Sequence, residues 1–164
     1  AHSPYTLATS LTIDGGATLH ILPGVVVRVA PGAEGIVVKD GRVIARGTAE
    51  RRITFTSDSA RPGPGDFRSA VVIRARAGQT SALEHVTVQH GGAGLRLESG
   101  GLEVLRAEIL ANLQGGIVVS DTGVLKVSES RITGHASGGG VTVQGFGRAV
   151  PAGAAVITAS ASAY

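Results

Sequence analysis

Apolar and polar residues alternate in short runs along most of the chain, and the runs recur. Leu95 and Leu97, Ile117 and Val119, and Val141 and Val143 each follow a glycine, at spacings of 22 and 24 residues. Because alternate residues of a strand face the same side, these pairs predict one wall of a repeating unit. Leu83, Val104 and Val127 align as a second column, Val86, Ala107 and Ser130 as a third, and Val88, Ile109 and Ile132 as a fourth, at spacings of 21 and 23. Between Leu83 and Val86 the alternation slips by one position, at Glu84 and His85, then Leu105 and Arg106, then Ser128 and Glu129. The slip predicts a corner with mostly polar side chains outside. Each unit is then a coil of three short strands, which buries its apolar side by lying on its neighbours.

The first half keeps this register with longer corners. Leu11 and Ile13 map onto Ile36 and Val38 at a step of 25, Leu19 and Ile21 onto Val43 and Ala45 at 24, and Val27 and Val29 onto Ile53 and Phe55 at 26. Residues 57–70 interrupt the pattern ahead of Val71 and Ile73; Pro62 and Pro64 with their glycines forbid a ladder strand there and predict a projecting loop. The reading is one domain, residues 1–164, of about six coils, with 145–164 as a terminal coil or an exchanged strand. At ~4.8 Å per coil the rod is roughly 25–30 Å long.

Composition narrows the choice of architecture. Three Phe, two Tyr and no Trp, Met or Cys leave Val, Ile, Leu and Ala to fill the interior, which suits a narrow lumen. An antiparallel sandwich has no reason to repeat its columns every 21 to 26 residues, and the Asp-Gly pairs at 14–15 and 40–41 fall at coil corners rather than in hairpins. The glycine and β-branched content excludes a helical repeat. The absence of cysteine excludes disulfides and thiol chemistry. No run of 18 apolar residues exists to span a membrane as a helix. The 13 Arg and two Lys are scattered among 12 acidic residues, without a basic run or stacking aromatics, so nucleic acid is not an expected partner.

Several segments carry a family resemblance. Leu11-Thr12-Ile13 with Ala17-Thr18-Leu19, Leu22-Pro23-Gly24-Val25-Val26-Val27, residues 41–50, Ile53-Thr54-Phe55-Thr56-Ser57 and Leu83-Glu84-His85-Val86-Thr87-Val88 resemble the coils of secreted bacterial right-handed parallel β-helix repeat proteins, the pectin-lyase-like fold. The resemblance covers most of residues 7–144 and implies an all-β, single-domain right-handed parallel β-helix, the hand that parallel crossovers favour. Such modules occur in adhesins, surface proteins and polysaccharide-acting enzymes, so the fold transfers no activity. The opening Ala1-His2-Ser3-Pro4 reads as a mature product after signal-peptide removal, which places the chain outside the cell or on its surface.

The chemistry of those enzymes needs clustered carboxylates for a cation or for acid–base work. Asp14, Asp40, Asp58, Asp66 and Asp121 are instead spread over different corners, so no catalytic residue is assigned. Asp58, Asp66 and Arg68 in the insertion, beside Phe67, are the fallback glycan site. The five histidines read as surface residues: His20 outward in its strand, His85 and His90 on opposite sides of theirs, His135 in a corner. No metal and no cofactor is expected. Across neighbouring coils, Glu108 and Arg131 are placed to pair.

A solenoid has two open ends whose strand edges must be capped or used. Here no cap helix precedes Leu7, and residues 150–164 carry no charge while 156–164 alternate like a strand. Tyr5, Leu7, Val156, Ile157 and Tyr164 are therefore the expected subunit contacts. The sequence points to a non-catalytic extracellular structural module that assembles end to end with itself, with a polysaccharide-binding or polysaccharide-processing module as the alternative.

Overall fold

The computed structural model describes residues 3–145, 147–151 and 156–157. Its strands follow the chain as successive triplets. The first coil holds β1 (Tyr5–Leu7), β2 (Leu11–Ile13) and β3 (Ala17–Ile21); the second holds β4 (Val26–Val29), β5 (Ile36–Val38) and β6 (Gly41–Arg46). The third is β7 (Ile53–Ser57), β8 (Val71–Arg74) and β9 (Thr80–Glu84), and the fourth β10 (Val86–Gln89), β11 (Ala93–Ser99) and β12 (Gly101–Leu105). The fifth is β13 (Glu108–Leu110), β14 (Gly115–Val119) and β15 (Val124–Ser128), the sixth β16 (Arg131–Thr133), β17 (Val141–Val143) and β18 (Arg148–Pro151), and β19 (Val156–Ile157) opens a seventh.

Each strand pairs in parallel with the strand three places on, which yields three sheets. Sheet A runs β1-β4-β7-β10-β13-β16-β19, sheet B β2-β5-β8-β11-β14-β17, and sheet C β3-β6-β9-β12-β15-β18. This is an all-β, right-handed parallel β-solenoid of about six coils.

The inward columns coincide with the register read from the sequence through most of the stack. Leu83 lies beside Val104 and Val104 beside Val127; Val88, Ile109 and Ile132 form one row, and Leu97, Val119 and Val143 another. Between these rows Phe55, Ile73, Leu95, Leu102 and Ile117 are fully buried. Burial of such side chains, at roughly 25 cal/mol per Å² of apolar surface, is what holds coil on coil.

One register expectation is corrected. Val27 pairs with Phe55 and Val29 with Ser57, a step of 28 rather than 26. The turn in which Thr48 Oγ1 and the Thr48 amide meet Arg51 lengthens the corner by a further two residues. A two-residue shift keeps the same residues facing inward, so the apolar pattern cannot detect it.

The insertion is also smaller than its span in sequence. Asp66, Arg68, Ser69 and Ala70 exchange backbone hydrogen bonds with the corners above and below, at Gly32, Ala33, Gly35, Ile36, His90, Ala93 and Gly94. Phe67 bridges Gly91 and is buried in the core, so it is a filler of the lumen and not a loop aromatic. Ser57 ends β7 and the Asp58 amide donates to the Val29 carbonyl, so only residues 59–64 stand outside the stack.

Polar groups occupy chosen places inside. Ser81 Oγ accepts from the Val43 amide and Ser130 Oγ from the Ala107 amide, each at 3.1 Å. Asn112, fully buried, accepts from the Gly91 amide at 2.9 Å. Gly91 leaves room for this, because a Cβ there would meet both the Phe67 ring and Asn112 Oδ1. His135 stacks in the next coil and is 4% exposed, so the surface placement expected for it is wrong. The chain after Thr133 turns inward through Gly134 at φ 70°.

Candidate functional site

Among the described residues, β1, β2 and β3 form one edge of their sheets, so the inward residues of the first coil line a mouth there. Tyr5 is 44% exposed, Leu11 40% and Leu22 63%. With Leu7, Leu19 and Val25 they line an apolar cavity of about 300 Å³. Leu11 belongs to the row continued by fully buried Val71, Leu95 and Ile117, so its exposure comes from its position in the last layer and not from its direction. The Val26 amide is held by Ser3 Oγ at 2.9 Å, which ties the approach of the chain to the rim.

At the other end, among the described residues, the backbones of β17, β18 and β19 come last in their sheets. Val143, which continues the row of Leu97 and Val119, is 46% exposed there. Val156 and Ile157 pair with Arg131 and Ile132 of their own chain. Tyr164 lies outside the described residues.

The fallback glycan residues have separate surroundings. Asp58 faces Arg28 at 3.8 Å and accepts from Thr6 Oγ1 at 3.5 Å, on the outer side of sheet A. Asp66 Oδ2 accepts the Gly63 amide and closes the loop turn at 3.0 Å. Arg68 lines a different groove, of about 310 Å³, with Glu34, Arg96 and Gln114. Neither Arg68 nor Arg96 takes part in the ion pairs of the described residues, which use Arg28, Arg74, Arg76, Arg106 and Lys126.

The histidines on sheet A do not obey a simple alternation, because His85 and His90 both have positive φ, 48° and 73°. His90 Nδ1 lies 2.9 Å from Thr56 Oγ1. Burial lowers the pKa of this ring, against the raising field of Asp66. Among the described residues no three His, Asp or Glu side chains come together as a metal cluster.

The expected Glu108–Arg131 pair does not form among the described residues, although the two are register neighbours. The cross-coil ion pairing lies one column away, where Arg106 meets Glu129 at 2.8 Å and Glu84 at 3.4 Å. At the corner the left-handed backbone turns Arg106 toward both carboxylates, while Glu108 and Arg131 stay on the flat of the sheet.

A family model described as a pectate-lyase-like β-helix domain matches residues 1–132. The chain belongs to that family. No curated protein and no solved structure matches it. The pectate-lyase-like β-helix continues past the matched residues without a change of register, since β17 and β18 pair with β14 and β15 as earlier coils do. Sequence reasoning named Tyr5 and Leu7 at the mouth but missed Leu11, Leu22 and Val143. The available signal was that Leu11 and Val143 stand in inward columns at their terminal layers, where a column lacks its next member.

Proposed function

We propose that this β-helix is a non-catalytic structural module of an exported or surface-located protein, and that it works by associating through its open first coil. The observation that carries the reading is the exposed apolar rim of Tyr5, Leu11 and Leu22 around the cavity at the first coil. Exposed apolar patches of this kind, on strand edges without guarding charges, favour association. The carboxylates support a structural role as well. Asp40 is held by Gln79 and Arg76, Asp58 by Arg28, Asp66 by a turn amide and Glu98 by Arg74, so each serves a local contact. Sedimentation velocity across a concentration series tests the reading: the natural chain should sediment faster as concentration rises, and Leu22→Asp should stay monomeric. A natural chain that remains monomeric throughout overturns it.

A second reading, a polysaccharide-binding module, is favoured by one feature. Arg68 and Arg96 flank a groove beside Glu34 and Gln114 without a carboxylate partner among the described residues. Calorimetry with acidic oligosaccharides decides it, since binding that is lost in Arg68→Ala and Arg96→Ala supports this groove as the site.

A further inference from the structure

We propose that Asp14-Gly15 is a site of spontaneous aspartyl isomerisation in the folded chain, and that Gln79 guards the other such dipeptide, Asp40-Gly41, against the same reaction. The sequence contains these two Asp-Gly pairs. A glycine after an aspartate leaves its amide nitrogen open to the aspartyl carboxyl, because no Cβ stands in the way. The site is independent of the association proposed above.

The reaction needs only water. The Gly15 nitrogen attacks Cγ of the protonated Asp14 carboxyl, and the new N–C bond closes a succinimide ring. The carboxyl hydroxyl leaves with the amide proton as water. Water then opens the ring at either carbonyl. Opening at Cγ breaks the new bond and restores aspartate, whereas opening at the α-carbonyl breaks the old peptide bond and leaves isoaspartate. In that product the main chain runs through Cβ and Cγ, and its extra carbon falls between Ile13 of β2 and Ala17 of β3.

The two corners meet this chemistry differently. Asp14 folds its carboxyl onto the amide that attacks it, Oδ1 accepting from the Gly15 nitrogen at 2.8 Å. Among the described residues that amide has no other acceptor and Asp14 has no ion pair, so neither a ladder bond nor a clamp has to break. The turn is uncrowded as well, since a Cβ at Gly15 or Gly16 would meet nothing within 4 Å. Asp40 is pinned instead. Its Oδ1 accepts from Gln79 Nε2 at 2.7 Å and its Oδ2 from Arg76 at 3.0 Å, while the Gly41 amide donates to Gln79 Oε1 at 3.1 Å. One side chain therefore holds both reacting groups, and Gly41 is packed so closely that a Cβ would collide with the Ala17 carbonyl. The clamp on Asp40 comes from the coil that follows it. The coil that follows Asp14 brings Asp40 to the turn, whose carbonyl takes the Gly16 amide at 3.1 Å and whose carboxylate has no proton to donate. The difference between the corners comes from these following coils and not from anything ahead of the first coil.

Prolonged incubation of the full chain in heavy-oxygen water near neutral pH tests both halves, because each ring opening leaves one heavy oxygen in the residue. Peptide mapping with electron-transfer fragmentation then separates isoaspartate from aspartate at each corner. Asp14 should take up label and accumulate isoaspartate while Asp40 keeps its natural mass, and in the urea-unfolded chain both should react. Gln79→Ala, with folding checked by circular dichroism, should bring Asp40 to the rate of Asp14, whereas Arg76→Ala, which leaves the Gln79 amide in place, should not. Asp14→Glu should abolish uptake at the first corner, since the longer side chain has to close a larger ring. An unlabelled Asp14 in the folded chain, or label that persists there in Asp14→Glu, overturns the site. Asp40 reacting as fast as Asp14 in the folded natural chain, a difference that survives in urea, or an inert Asp40 in folded Gln79→Ala overturns the guard, and Asp40 released by Arg76→Ala overturns the role of Gln79 in it. Should Gln79→Ala fail to fold, the two corners of the natural chain, folded and in urea, decide between these outcomes.

Discussion

Gln79 fastens the third coil to the second through Asp40, donating from Nε2 to Asp40 Oδ1 at 2.7 Å. Its Oε1 accepts the amides of Gly41 and Arg76 at 3.1 and 3.0 Å, and Arg76 closes the ring on Asp40 Oδ2 at 3.0 Å. Gly41 is required here: its φ is 135°, and a Cβ would collide with the Ala17 carbonyl. Gln79→Ala strands part-buried groups and should lower the unfolding free energy by about 1–3 kcal/mol in urea titration. Arg76→Ala, which removes a largely exposed ion pair, should stay within about 1 kcal/mol of the natural chain.

His85, Arg106 and Glu129 stack at one corner with φ of 48°, 50° and 47°. A left-handed conformation costs a side chain with a Cβ about 1–2 kcal/mol, and a β-branched residue tolerates it least. Glu129→Gly should therefore be near neutral, because relief of the backbone offsets loss of the ion pair to Arg106, and Glu129→Val should be clearly destabilising. Thermal unfolding of the two variants checks the order.

Acid should loosen the C-terminal half. Burial lowers the pKa of His135 below its ordinary value, so between the folded and unfolded values the unfolded chain binds more protons. Stability is then full above the unfolded histidine value, near 6.5, and falls as pH drops through it toward the lowered folded value. His90 contributes in the same direction, against the opposing field of Asp66. His135→Gln should flatten the pH dependence of unfolding below neutrality, and an unchanged slope would remove His135 from this role.

Much of the fold was legible in the sequence because a solenoid repeats each inward position. The Leu83, Val88 and Leu95 rows are fixed by three or more members each. What escaped had a physical reason. The two-residue shift between β4 and β7 preserves facing, and Phe67 sits in a segment whose prolines mask its return to the core. His135 looked exposed because its burial depends on a glycine turn and on Asn112 and Gly91 filling the same corner below it. The left-handed corner was visible only as the slip at Glu84 and His85. At the first coil, Tyr5 and Leu7 were legible because no helical pattern stands in the sequence just ahead of Leu7, whereas Leu22 lies in a corner and belongs to no repeated column.

Electron microscopy of the full chain at increasing concentration tests the central claim most directly. Association through the coil ends predicts unbranched rods that lengthen by one six-coil unit per copy, about 29 Å at the parallel-strand spacing, and that shorten to single units in Leu22→Asp. Single short rods at every concentration, or clusters joined along their sides, would contradict it.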